Sequence, residues 1–361
     1  MIESLAKLWD DAIRPPPLIG IEEWSERNIT LSSANSARPG EYRTDVTPYV
    51  REPMARLSPS DEAVFVYLMW AAQTAKSTIL NAFLGYYIGH DPSPCLMMQP
   101  TVQLAETYSK QRIAPMISGS PLLSSIVGDP KSRDGGNTLG LKEFPGGMLV
   151  MVGANAPTMM RSMPIRIVAM DEVDGYPLSA GSEGSPVKLV QARTSSFPNR
   201  KILLTSTPGT TGVSVIEAGF LSTGQRHYHV PCPHCGTMQR IEWERIEWDG
   251  DDHKTARMRC INDACTTPIL DRHKASMLPA GEWIAEHPDR EDGESYGYHL
   301  SGLYAPLGWT PVSWPNLVRE FIEARGDPQA DKAFVTVRLA ETYDEFAATD
   351  FDEGGLMQRA E

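Results

Sequence analysis

"AVFVYLMWAAQTAKSTIL", Ala63 to Leu80, decides how this chain is read. An apolar run, Ala63–Trp70, passes into a short polar turn with Gln73, Thr74, Ala75, Lys76, Ser77 and Thr78, and then into a second apolar stretch. Strand, turn and helix in that order aim the free N–H groups of the first helical turn at one point, where the helix dipole adds attraction for an anion. The usual phosphate loop, G-x-x-x-x-G-K-[ST], ends in a lysine that reaches the β- and γ-phosphates and a hydroxyl that binds Mg²⁺. Here Lys76-Ser77 fills the last two positions, but Trp70 and Ala75 stand where the glycines belong. Alone, the fragment reads better as an ordinary helix start with an exposed lysine.

The rest of the chain reverses that preference. Apolar runs recur at Cys95–Pro100, Gly147–Gly153, Arg166–Asp174 and Lys201–Gly209, separated by helical stretches. Strands that read as continuous apolar runs between helices predict a mostly parallel sheet covered on both faces, an α/β fold of the P-loop NTPase kind. "RIVAMDEVD" ends in Asp171-Glu172, as a Walker B strand does. The first carboxylate suits Mg²⁺ held through water, and the second suits orienting or deprotonating a water. "KILLTSTPG" ends in Thr205, Ser206 and Thr207, which read either as a γ-phosphate sensor or as a polar turn before Pro208-Gly209.

Charge and composition narrow the class. The net charge of −13 argues against a surface that grips nucleic acid everywhere, though not against a local basic groove, for which Lys188, Arg193, Arg200 and Lys201 are candidates. No apolar run is long enough for a membrane span, and the N-terminus is too acidic for a signal peptide, so a cytosolic setting is expected. Four of the five cysteines cluster: Cys232-Pro-His-Cys235-Gly and Cys260-x₄-Cys265. That spacing predicts structural Zn²⁺ in a closed four-ligand site, with His229 or His234 as substitutes for a cysteine. Cys95, in an apolar run, reads as core.

The expected organisation is an extended lead-in over 1–60 ending in a short helix near Tyr49–Leu57, a nucleotide-binding core over 61–226 and a zinc-ribbon-like insertion over 227–283. The insertion is too short and polar to hold a core, so the metal would be its main staple. A final strand with helical linker follows over 284–345, then an acidic tail over 346–361.

In order along the chain, "TPYVREPM", "AAQTAKST", "DPSPCLMMQPT", "SKQRIAPMISGSPLL", "RSMPIRIVAMDEVDGYP", "TSTP", "CPHCG", "GYHLSGLYAPLGW" and "KAFVTVRLAETY" resemble the large subunit of lambda-type phage terminases, the ATPases that package DNA into procapsids. The resemblance runs from about Trp24 to Glu345. It implies a phosphate loop at Gln73–Ser77, with Lys76 on the phosphates, Ser77 and Asp171 on Mg²⁺, Glu172 catalytic and Thr205–Thr207 coupling. It also implies adenine contacts near Tyr49 and Arg51, and a transition-state arginine for which Arg161 and Arg112 are candidates. Double-stranded DNA, a terminase small subunit, a portal on the procapsid, a ring of copies and the cytoplasm of an infected bacterium follow from the same resemblance. So does a second, ribonuclease H-like nuclease domain in the full-length family. The tail acids Asp350, Asp352 and Glu353 have no strand to present them, so no nuclease site is expected here. Ala75 departs from the family's glycine and puts tight ATP binding in question. Another nucleic-acid motor of the same architecture, or a non-hydrolysing DNA or assembly module, stays open as an alternative.

Overall fold

Apolar side chains that must be buried on both sides leave a backbone whose polar groups only ladder partners can satisfy, and the apolar runs accordingly become strands. The computed structural model describes residues 18–31, 38–128, 136–156, 163–181 and 184–344. A small ribbon, β1 (Thr30–Leu31) with β2 (Gly40–Glu41), precedes the main sheet. That sheet contains β3 (Phe65–Trp70), β4 (Pro94–Gln99), β5 (Leu141–Phe144), β6 (Gly147–Gly153), β7 (Ile167–Asp171), β8 (Lys201–Ser206), β9 (Arg226–Pro231) and β10 (Met238–Gln239). A separate hairpin, β11 (Ile246–Asp249) with β12 (Asp252–Met258), intervenes before β13 (Glu282–Ala285) and β14 (Ser295–Leu300) return to the sheet.

The spatial order is β10-β9-β14-β3-β8-β7-β4-β6-β5, with β13 also on β9. The inner strands from β9 to β6 run parallel, and β5, β10 and β13 are antiparallel additions. Because β8 lies between β3 and β7, with Met69 opposite Ser206 and Thr205 opposite Asp171, the three strand tips end at one edge.

One face is covered by helices Ile21–Asn28, Arg51–Leu57 and Lys76–Gly89, the other by Pro186–Ala192 and Val215–Leu221. The Val215–Leu221 helix lies so close to the sheet that a Cβ on Gly219 would stand 2.4 Å from the Tyr67 ring.

Several expectations are corrected. The lead-in carries a helix, Ile21–Asn28, whose Trp24 is core. The helix expected after Gln99 is Val102–Tyr108, a π-helical turn Ser109–Ile113 and Ala114–Gly119; Pro115 has no N–H to return to the preceding turn. The insertion is not coreless. Tyr228, Val230, Ile246, Met258, Ile269 and Trp283 are buried in the same apolar cluster as Phe83 and Trp70, and β9 and β13 are rungs of the main sheet. Among the described residues no helix is long and apolar enough to cross a membrane.

Candidate nucleotide site and cysteine cluster

The turn between β3 and the Lys76–Gly89 helix is built from two left-handed residues, Gln73 (φ 62°) and Ala75 (φ 70°). Ala75 is the residue before the helix, and no side chain caps the first turn; the Thr78 N–H donates to the Ala75 carbonyl at 3.0 Å, which leaves those of Lys76 and Ser77 to the concavity of the turn. Thr74 closes the turn by donating its hydroxyl to the Ala71 carbonyl at 2.6 Å. Lys76 is buried; its Nζ donates to the Trp70 carbonyl at 2.8 Å and lies 3.8 Å from Glu172 Oε1. Two segments far apart in the chain thus meet across the tip of β8, which lies between their strands.

Asp171 ends β7 with both oxygens engaged. Thr205 donates its hydroxyl to Oδ1 at 2.6 Å, and Gln99, at the tip of β4, donates Nε2 to Oδ2 at 3.1 Å. Oδ1 also accepts the Glu172 N–H at 3.1 Å, so it is Oδ2 that keeps a second lone pair for a divalent cation or its waters. Glu172 follows in a left-handed conformation (φ 52°), which turns its side chain from the strand toward Lys76. Desolvation among the strand tips pushes the Glu172 carboxyl upward; Lys76 and the Thr207 backbone N–H oppose this, while Asp171 and Asp174 add to it. The side chain keeps 46% of its surface open, which screens these influences. Burial pushes the Lys76 ammonium downward, and Glu172, Asp171 and Asp174 hold it up.

The structure therefore brings together Lys76, Asp171, Glu172 and Thr205, with Ser206 and Thr207 continuing the β8 tip. Ser77 and Thr78 line a small pocket with Asn81 and Arg112, the latter on the π-helical turn. Arg161, Asp350, Asp352 and Glu353 lie outside the described residues. Tyr49 does not offer a face to a nucleotide: it is fully buried, edge-on to Trp70 and Tyr228 at 5.6 and 5.9 Å. Arg51 is half-exposed and engages Glu22 and Thr44, both at 3.1 Å. Lys201 is not a surface cation; its Nζ donates to the carbonyls of Arg56, Asp61 and Ala63. Lys188 is exposed, and Cys95 is core as expected. Gln99 escaped the sequence reading because a lone glutamine before Pro100 has no spacing signature.

A cavity of about 590 Å³ is lined by Glu217, Glu242, Glu244 and Glu341 against a single arginine, Arg240, an acidic excess that disfavours a triphosphate.

Across the β9–β12 region the four cysteines converge, their sulfurs all within 4.8 Å of one another. Cys232–Cys265 and Cys235–Cys260 are 3.9 and 3.7 Å apart, against about 3.8 Å for ligands arranged tetrahedrally at ~2.3 Å from zinc. The knuckle closes by Gly236 N–H to the Cys232 carbonyl, with Gly236 at φ 76°. The cluster is formed by the four cysteines without a histidine; His234 faces the Pro268 carbonyl and His229 the His227 carbonyl.

A mostly parallel sheet with helices on both faces places the molecule in the α/β class. Residues 36–283 match the family described as phage terminase large subunit gpA, ATPase domain, more than half of the chain, and the chain belongs to that family. Residues 295–361 match the terminase large subunit gpA endonuclease domain; β14, within that span, is a rung of the main sheet. The terminase large subunit of Enterobacteria phage P21 is 26% identical over 373 residues, covering 96% of this chain and 56% of that protein. That of Escherichia phage lambda is 27% identical over 353 residues, covering 92% and 54%. The chain thus spans about half the length of these relatives. The crystal structure of the HK97 bacteriophage large terminase shares the fold, with a TM-score of 0.52 at 12% identity over 89% of this chain and 54% of that one.

Proposed function

We propose that the chain hydrolyses ATP at the tips of β3, β7 and β8 and uses it to move double-stranded viral DNA into a procapsid. The observation that carries this is the 3.8 Å approach of Lys76 to Glu172. Lys76 has N–H donors beyond the one given to Trp70 and would neutralise phosphate charge. The N–H groups of Gln73 to Ser77 would cradle the phosphates. Ser77 and Asp171 would hold Mg²⁺, whose chemistry there is neutralisation of charge on the transferred phosphoryl group. Glu172 would take the proton of the attacking water, and Thr205 to Thr207 would register the γ-phosphate. Arg112, beside Ser77, is the described candidate for the transition-state arginine, with Arg161 the other. Cys232, Cys235, Cys260 and Cys265 would hold structural Zn²⁺, since four soft ligands at tetrahedral spacing close the coordination sphere.

In this reading β9, β13 and β14 complete the nucleotide-binding core of 61–226, and the ribbon proper is the excursion between β9 and β13. The small subunit, the portal and further copies in a ring are the proposed partners, in the cytoplasm of the infected host. A non-hydrolysing docking module is the rival, favoured only by the left-handed Ala75.

The test is steady-state ATP hydrolysis with Mg²⁺, with and without duplex DNA. Turnover stimulated by DNA, and lowered at least ~100-fold by Glu172→Gln, is expected. No turnover together with retained DNA binding would establish the rival.

A further inference from the structure

We infer that Asp174, two residues beyond Glu172, is a positioning residue that locks the loop after β8 against the carboxylate turn after β7, and through it orients Glu172. Its Oδ2 accepts the Gly209 N–H at 2.8 Å and its Oδ1 accepts the Ile216 N–H at 2.9 Å. Its own N–H donates to Ser206 Oγ at 3.3 Å, and that hydroxyl donates to the Thr207 carbonyl at 2.8 Å. Asp174 thus grips the loop on both sides of Thr207. Asp174 lies in the turn that carries Glu172, which the Gly175 N–H closes by donating to the Glu172 carbonyl at 2.9 Å.

A side chain bound only to its own turn would be a local staple. This one spans two strands' worth of chain, and its bonds are charge-assisted, about twice as strong as neutral ones. The loop has other anchors. Tyr343 N–H donates to the Gly209 carbonyl at 3.0 Å, Thr211 N–H donates to the Tyr343 carbonyl at 3.2 Å, and Ser214 caps Glu217 at 3.1 Å. Removing the carboxylate therefore loosens the inner side of the loop while the outer side stays held.

The inference rests on the ATPase reading, and the experiment separates the two. Asp174→Asn keeps the size but offers one acceptor to two N–H donors. In the full chain we expect kcat to fall on the order of 30-fold with KM for ATP within about threefold, the pattern of an interaction needed only in the transition state. Amide exchange should rise at Gly209, Ile216 and Gly175, with the melting temperature little changed. Faster exchange at Gly209 and Ile216 with Gly175 and kcat unchanged would reduce Asp174 to a local staple and overturn the inference. Should the wild-type chain not turn over ATP, the ATPase reading falls, and exchange at Gly175 in Asp174→Asn still decides whether the link exists.

Discussion

Ala75 shows most directly what a single methyl group does in this molecule. At φ 70° and ψ 16° it occupies the left-handed region, which disfavours an L-residue by about 1 kcal/mol because Cβ crowds the following carbonyl. Sequence alone flags the missing glycine but not the torsion, which decides whether the absence matters. The backbone keeps the glycine-like path despite the side chain, with Gln73 at φ 62° doing the same two residues earlier. Ala75→Gly would remove the strain and the methyl, and would lose about 0.4–1 kcal/mol through the freer unfolded chain. Stability should therefore stay nearly constant. Calorimetry with ATP and Mg²⁺ should show binding at least about threefold tighter, a gain of roughly 0.65 kcal/mol. Equal or weaker binding would mean that the methyl group is harmless at the phosphates.

At the level of elements, the strands that carry the site were the most legible. β6 is the predicted Gly147–Gly153, and β3, β4, β7 and β8 fall inside or within one residue of their apolar runs, because burial on both faces leaves no alternation to blur them. The edge was less legible. β5 (LKEF) is half polar, and β9 and β13 are short, aromatic-dotted segments whose place depends on pairing that no local pattern records. Lys76 could be found because it opens the helix after an apolar strand, and Asp171, Glu172 and Thr205 because they stand at strand ends; Gln99 and Asp174 could not, because their role is to hold other residues. Tyr49 misled because an aromatic near a helix start looks exposed on paper.

β14 illustrates how such pairing links the site to the C-terminal segment. His299 faces Phe220 and His227, with rings 6.1 and 5.2 Å away, and its Nε2 meets the Ala340 carbonyl at 3.0 Å. The same segment accepts the Ala72 N–H of the turn after β3 at the Val337 carbonyl, at 3.0 Å. Burial, with Arg240 adding, pushes the His299 imidazole down to about 4, and burial with His299, Arg240 and His229 pushes His227 to about 3. A lowered pKa means that the folded chain binds fewer protons than the unfolded one between about 6.5 and 4. The stabilisation is therefore complete above about pH 6.5 and is lost as pH falls through that window. His299→Gln keeps a donor for Ala340 and cannot titrate. Its denaturation midpoint should fall less steeply than that of wild type from pH 6.5 to 4, on the order of 2 kcal/mol in total, without flattening, since His227 remains. Parallel pH curves would show that His299 is not neutral in the fold.

For the whole molecule, the question is what the cysteine cluster holds together. A polar insertion stapled only by metal would unfold as a unit without it, as small zinc domains do. Here the excursion leaves from β9 and returns at β13, both paired within the main sheet, and its Tyr228, Val230, Met258 and Trp283 share the core with Trp70. Trp283 also donates its indole N–H to the Tyr49 carbonyl at 2.9 Å, and the Tyr304 hydroxyl donates to the Tyr228 carbonyl. Those contacts do not need the metal. The far end does: Cys235 is exposed, and between Asp249 and Thr267 most side chains outside β12 face solvent. Protein purified without chelator should carry about one equivalent of zinc. On chelation, or in Cys235→Ser with Cys260→Ser, amide exchange should rise across 232–268 while β3, β7 and β8 keep their protection. The main unfolding transition should move by only a few degrees, because the sheet and its two apolar faces supply the cooperative unit. Loss of protection in β3 and β7 on chelation would instead make the metal a keystone for the nucleotide site. Absence of zinc from native protein would make the four thiols a packed cluster and leave the hairpin of β11 and β12 to stand on its contact with helix Trp314–Ala324.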